Sequence, residues 1–244
     1  MRVEHGDCLQ VMRDLAVESA RVDAVITDPP YCSGGVTEAG RGRATHQGLR
    51  SEAIREGRFK WFDGDVMTTA GLCHLLREVA VAAYELLPPT GHLVIFADWR
   101  MVPMLAPAVE SAGFRYRNMV VWDKGHMGCG TGFRPRHEIA MHFTGRAPTF
   151  YAADVGNVIT ASRVHTTKRT HAAEKPVELI RPLVRVTTPP GGTVLDPFAG
   201  SGAIGEAAAA EGRDAILIER DASYAEGIAQ RLATTRPRQL EPML

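Results

Sequence analysis

Asp28-Pro29-Pro30-Tyr31 closes an apolar run, Val25-Ile26-Thr27, with a carboxylate, two rigid imino acids and an aromatic ring. Such a set could act on a planar amine. An amine conjugated to a ring is a poor nucleophile until its geometry shifts toward tetrahedral, and two acceptors aimed at its two hydrogens favour that shift. Asp28 offers a carboxylate. Pro29 offers a main-chain carbonyl whose direction is set by two consecutive fixed φ angles, and Tyr31 offers a face on which a flat ring can stack. The same four residues would also serve as a plain strand-end turn, since Asp and Pro favour turns.

A second constellation runs from Gly191 to Arg220, GGTVLDPFAGSGAIGEAAAAEGRDAILIER, which reads as strand, glycine turn, helix and second strand. Gly200, Gly202 and Gly205 satisfy Gly-x-Gly-x-x-Gly, and Glu219 stands at the tip of the next strand, as a dinucleotide site requires. In that fingerprint, however, the first glycine follows its strand almost directly, whereas Asp196-Pro197-Phe198-Ala199 intervenes here. A carboxylate at that strand end sits badly beside a pyrophosphate and suits a cofactor carrying an ammonium or sulfonium charge. A tight turn with no ligand is the plainer alternative.

His137-Glu138-x-x-x-His142 invites a metal reading, but its histidines are five apart. On a strand that spacing sends them to opposite faces, and on a helix they are turned well away from one another. Structural histidines and no metal are expected. Cys8, Cys32, Cys73 and Cys129 never form Cys-x-x-Cys, so they read as free thiols of a reducing compartment.

The chain of 244 residues carries 28 basic and 28 acidic side chains, and zero net charge argues against nonspecific coating of nucleic acid. The distribution is uneven. Between Ser33 and Lys60, Arg41, Arg43, Arg50, Arg55, Arg58 and Lys60 outnumber Glu38, Glu52 and Glu56, and a second basic run holds Arg163, Lys168, Arg169 and Lys175 against Glu174. Local patches of this kind can meet phosphates, or they can be solvated loop surface. Trp61 and Phe62 close the first basic stretch and would either stack on a base or pin the loop.

Elements able to position these groups follow from the apolar patterning. Strands are expected at Val22 to Thr27, His92 to Phe96, Tyr116 to Trp122, Glu138 to Thr144, Thr193 to Leu195 and Ala215 to Ile218. Helices are expected through Leu72, Leu75, Leu76, Val79, Ala80, Ala83 and Leu87, from Lys175-Pro176 onward with Pro182 bending it, at Ala203 to Glu211, and at Ser223 to Leu232. This alternation means an α/β fold: a mixed, mostly parallel sheet with helices on both faces. Cys32 to Asp65 and Gly145 to Ala173 resist assignment, as functional loops do. No internal repeat or linker divides the chain, so a single domain over residues 1–244 is expected. No run of about eighteen residues is apolar enough to span a membrane, and the start, MRVEHGD, lacks the signature of a signal peptide. A cytoplasmic location is expected.

Taken together, Asp28-Pro29-Pro30-Tyr31 and Asp196-Pro197-Phe198-Ala199-Gly200-Ser201-Gly202 resemble the catalytic and cofactor motifs of DNA amino-methyltransferases. The catalytic motif comes first, an order similar to the β class. His5-Gly6-Asp7-Cys8 resembles the family's Gly-Asp-Cys segment, and His171-x-x-x-Lys175-Pro176 its His-x-x-x-Lys-Pro element. Val120 to Gly125 and Arg136 to Phe143 are similar to its intermediate strands. The resemblance spans nearly the whole chain.

It implies a Rossmann-like fold with its halves permuted, and S-adenosylmethionine as cofactor, yielding S-adenosylhomocysteine without a metal. Asp7, Cys8, His171, Lys175, Asp196 through Gly202 and Glu219 would line the cofactor pocket, with Glu219 on the ribose hydroxyls. Asp28 through Tyr31 would be catalytic. The implied reaction is methylation of a base turned out of duplex DNA, at adenine N6 or cytosine N4, and an Asp at the first motif position looks more like the adenine enzymes. Residues 33–60 and 145–170 would contact DNA, through Arg41, Arg43, Lys60, Arg163, Lys168 and Arg169, and a homodimer is implied on family grounds. An RNA or protein glutamine methyltransferase, or a silent DNA-binding module, would carry some of the same features.

Overall fold

The computed structural model describes residues 1–31, 67–128, 132–164 and 174–234. Its strands are β1 (Arg2–His5), β2 (Ala24–Thr27), β3 (His92–Ala97), β4 (Arg115–Asp123), β5 (His137–Thr144), β6 (Val158–Thr160), β7 (Thr193–Asp196) and β8 (Asp214–Glu219). All eight join one sheet in the order β1-β8-β7-β2-β3-β5-β4-β6. Only β5 runs antiparallel to its neighbours, β3 and β4. Every other pairing is parallel.

The helices are α1 (Cys8–Val17), α2 (Thr69–Leu86), α3 (Val102–Glu110, entered through a 3-10 turn, Trp99–Met101), α4 (Val177–Thr187), α5 (Ala203–Ala210) and α6 (Ala222–Thr234). They cover both faces. Along β3 the side chains alternate, so that Leu93 and Ile95 join a core with Met12, Leu15, Leu72, Leu76 and Leu105, from α1 to α3. Val94 and Phe96 join a second core with Leu179, Leu183, Ile204, Ala207 and Ile228, from α4 to α6. Central strands buried on both faces need continuous apolar sequence, which is why β2 and β3 are buried at every position.

The expected strands and helices form within a few residues of their expected bounds, and the expected mixed sheet with two helical faces is present. Four elements lie outside the expected set: β1, α1, α3 and β6. Pro176 is the N-cap residue of α4, one position outside the helix, and Pro182 lies within it. No helix among the described residues is long and apolar enough to cross a membrane.

β2 and β7 sit side by side, yet the chain leaves β7 toward β8 and reaches β3 on the other side of β2. This is a point where strand order reverses, and open α/β sheets bind ligands outside the carboxyl ends of the strands at such points.

Candidate active site

Acidic groups converge on that carboxyl edge. Asp28 follows β2, Asp98 follows β3, Asp196 ends β7 and Glu219 ends β8. The amide of Gly6, after β1, donates to the Glu219 carbonyl at 3.0 Å, which brings Asp7 to the same end. Because β5 is antiparallel, its first residues lie at this edge too. Glu138 pairs with Trp122 and His137 with Asp123, just before Lys124.

Asp28 is half-buried, and the segment before α4 delivers Lys175 onto it. The Lys175 ammonium donates to Asp28 Oδ2 at 2.5 Å and lies 3.5 Å from Glu138 Oε2. It also sits 5.1 Å from the ring centre of Tyr31 and 5.3 Å from that of Phe96, distances at which a cation is attracted to an aromatic ring. Glu138 Oε1 accepts from Lys124, whose ammonium stands 5.1 Å from the Trp122 ring centre. A buried chain of alternating charge results: Asp28, Lys175, Glu138, Lys124.

The chain sets the electrostatics of the site. Burial raises the Asp28 carboxyl above the ordinary carboxylate range, with the Lys175 ammonium working against it. Burial also pushes up Glu138, but its two ammonium neighbours outweigh that effect and hold it low. The Tyr31 hydroxyl is pushed well up by burial and by the nearby acids. Asp28 Oδ1 and the Tyr31 hydroxyl are both buried and make no hydrogen bond of normal geometry. The Tyr31 hydroxyl is the neighbouring donor and lowers the Asp28 carboxyl somewhat. A buried acceptor without a well-formed hydrogen bond nevertheless costs about 1–3 kcal/mol, so such an oxygen marks a place where a better donor is expected to bind.

One strand away the glycine turn is built around Asp196, which is 1% exposed. Its Oδ1 accepts from the Thr27 hydroxyl at 2.8 Å and from the Phe198 amide at 3.1 Å. Burial pushes its carboxyl up to about 7. Pro197 and Ala199 are buried and Ser201 half-buried, and Ala199 N–H donates to the Ile218 carbonyl at 3.0 Å. Gly202 caps α5 with φ +79, and a Cβ on it would lie 3.0 Å from Ile228 Cγ2. Gly205 serves packing, since a Cβ there would come within 2.5 Å of Leu217 Cδ1.

Glu219 closes the turn. One carboxylate oxygen accepts from Gly200 N–H and the other from Asp221 N–H, each at 2.8 Å. Each oxygen keeps a further lone pair for a ligand hydroxyl. Asp7 is exposed and caps α1 by accepting from the amides of Leu9 and Gln10 at 3.1 Å. Cys8 behind it is buried, which pushes its thiol up to about 11 and keeps it protonated.

The match to known families bears on this arrangement. Residues 22–231 fit the model of the N6/N4 DNA methylase family. The chain belongs to that family. YubD of Escherichia coli (strain K12), whose name gives methylase as a provisional description, is 29% identical over 235 residues, covering 96% of this chain and 91% of YubD. Among solved folds, a complex of M1.HpyAVI with SAM superposes with a TM-score of 0.68 at 22% identity, covering 95% of this chain and 99% of the other. PvuII DNA methyltransferase, described as cytosine-N4-specific, gives 0.68 at 16% identity, covering 94% and 85%.

In this DNA methylase the residues singled out by sequence fall into two adjoining groups. Pro29, Pro30, Tyr31 and Lys175 cluster with Asp28, while Asp196 through Gly202, Glu219, Asp7 and Cys8 form or flank the glycine turn. Arg163 is exposed beyond β6, near enough to Lys124 that its charge disfavours a second cation there. His171, Arg41, Arg43, Lys60, Trp61, Phe62, Lys168 and Arg169 lie outside the described residues. His142 is buried against His92, with ring nitrogens 3.0 Å apart, a structural role as expected.

Three residues emerge only in the fold. Glu138 and Lys124 meet through the β4–β5 pairing. Arg231 of α6 binds Glu206 at 2.7 Å, Glu174 at 2.8 Å and the Ser201 carbonyl at 3.0 Å, tying the glycine turn to the segment that carries Lys175. A charged residue in a strand that is otherwise buried, as Glu138 is at the head of β5, was the available signal.

Proposed function

We propose that this methylase transfers a methyl group from S-adenosylmethionine to the exocyclic amine of a base turned out of duplex DNA, with adenine N6 as the target atom. The observation that carries the reading is Asp28 Oδ1: a buried carboxylate oxygen without a hydrogen bond of normal geometry, set against the Tyr31 hydroxyl at the sheet's switch point, one strand from the glycine turn.

The residues at the turn suit that cofactor. Glu219 keeps lone pairs for two ribose hydroxyls, the left-handed Gly202 permits the tight entry into α5, and Asp196 and Asp28 place two carboxyls at an edge where a bound cation would favour their ionised forms. Bound there, S-adenosylmethionine would offer an electrophilic methyl on a cationic sulfur and leave as S-adenosylhomocysteine.

Asp28 Oδ1 and the Pro29 carbonyl would accept from the two amine hydrogens, drawing the nitrogen lone pair out of conjugation and toward the methyl. Tyr31 would stack on the extruded base and return about 1–3 kcal/mol of the few kcal/mol that extrusion costs. Holding both reactants in line would contribute up to about 7–11 kcal/mol. No thiol takes part, and the raised pKa of Cys8 fits that.

Residues 33–60 and 145–170 supply the DNA contacts in this reading, and the family resemblance supports a homodimer, which sedimentation at micromolar concentration would test. Adenine is favoured by the acid at the first motif position. Cytosine N4 is the second reading, supported by the fold shared with the cytosine-N4-specific PvuII enzyme. Methylation of random-sequence DNA followed by mapping of the modified positions distinguishes them and yields the recognition sequence. Absence of any modified base despite tight cofactor binding would leave a silent DNA-binding module.

A further inference from the structure

Asp28 must do two things that burial opposes. It must stay ionised, and it must keep one particular oxygen directed at the incoming amine. A buried carboxylate left alone takes up a proton, and its two equivalent oxygens exchange by rotation about a broad terminal torsion. Lys175 bears on both problems, since its ammonium supplies opposite charge and occupies Oδ2. An ammonium on a four-carbon stem is itself mobile. Here it is held by Glu138 and by the faces of Tyr31 and Phe96, while Glu138 is held by Lys124.

Resting on the reading above, we infer that Lys175, kept in register by Glu138 and Lys124, is a positioning residue for amine activation: it pins Oδ2 of Asp28 and leaves Oδ1 as the carboxylate oxygen that receives the target amine. The sequence resemblance places Lys175 in the cofactor pocket, whereas its ammonium contacts the carboxylate of the catalytic motif. Glu138 thereby acquires a role at two removes from the substrate. The role depends on β5 being antiparallel, because only then does the head of that strand reach the carboxyl edge.

Two substitutions make opposite demands on Asp28. Among the described residues, the charged and titratable groups facing it are Lys175 from the segment before α4, Glu138 from β5, Tyr31 from its own loop and Asp196 from β7. Lys175→Met removes the only cation among them, so the Asp28 carboxyl should titrate at higher pH. Glu138→Gln removes an anion and leaves the cation, so Asp28 should titrate no higher than in the parent, although the ammonium is no longer anchored.

The test is a carbon-13 carboxyl titration of the cofactor-free protein, with the Asp28 signal assigned from Asp28→Asn, combined with calorimetric binding of S-adenosylmethionine and single-turnover methylation of DNA. Methylation is expected to fall about 100-fold in Lys175→Met and about 10-fold in Glu138→Gln. Cofactor affinity should stay within about threefold, and Lys175→Arg should recover part of the rate. An Asp28 titration that Lys175→Met leaves unmoved would overturn the inference. So would parental rates in both variants, or loss of cofactor binding as the main defect of Lys175→Met, which would return Lys175 to the cofactor pocket. Failure of the parent enzyme to methylate any DNA would instead overturn the functional reading, and the titration would still judge the contact.

Discussion

The Thr27 hydroxyl donates to Asp196 Oδ1 at 2.8 Å, joining the end of β2 to the end of β7 across 169 positions of sequence. Asp28 is the next residue after Thr27, and the glycine turn begins directly after Asp196. One hydrogen bond therefore couples the proposed amine cradle to the proposed cofactor turn.

Replacing Thr27 by Val keeps the shape and removes the hydroxyl, leaving Asp196 with the Phe198 amide as its remaining donor. The loss should cost about 1–3 kcal/mol in urea unfolding, and the Asp196 carboxyl should titrate above its present value of about 7.

Asp196 also gives a signed pH dependence. An acid whose pKa is higher folded than unfolded binds its proton better in the native state. Its contribution to stability is complete below the unfolded value near 4 and is lost as pH rises through about 7. Asp196→Asn abolishes that loss, so its unfolding free energy relative to the parent should be greater at pH 8 than at pH 5. A constant difference across that range would contradict the assignment.

Gly202→Ala forces a side chain into the left-handed region, at about 1–2 kcal/mol, and toward Ile228 Cγ2 at 3.0 Å. Because the strain falls in the turn itself, calorimetry should show weaker binding of S-adenosylmethionine along with the lower stability.

Tyr31 separates stacking from hydrogen bonding. Its hydroxyl faces the Asp28 carboxyl without a hydrogen bond of normal geometry, so Tyr31→Phe should lose much less activity than Tyr31→Ala. Tyr31→Ala should lose about 1–3 kcal/mol of base stacking, read as roughly a 5- to 150-fold drop in kcat/KM. Equal losses in the two variants would show that the hydroxyl matters.

Much of this site was legible in the sequence because its two motifs are local. Each is a strand followed at once by its functional turn, and chain order alone suggested a shared edge. Glu138 and Lys124 are not legible in the sequence as partners of Asp28, since their meeting depends on the antiparallel insertion of β5; there they stand in the intermediate strand segments, with Glu138 also inside the His-Glu-x-x-x-His pattern. Elements missed in the sequence had weak or masked periodicity. β1 is a four-residue edge strand with partly exposed positions, β6 has three residues, and Pro103 and Pro107 disguise α3. α1 does carry a signal: Cys8, Met12 and Leu15 recur at helical spacing behind the Asp7 cap, a segment that the family resemblance marks for the cofactor.

The claim at the centre is that Asp28 Oδ1 activates an exocyclic amine of DNA. Nucleoside mass spectrometry of duplex DNA incubated with isotopically labelled S-adenosylmethionine tests it most directly, comparing the parent with Asp28→Ala at equal cofactor occupancy. The expected result is labelled N6-methyladenine with the parent and a signal at least ~100-fold weaker with the variant. Equal incorporation by the two proteins would contradict the account.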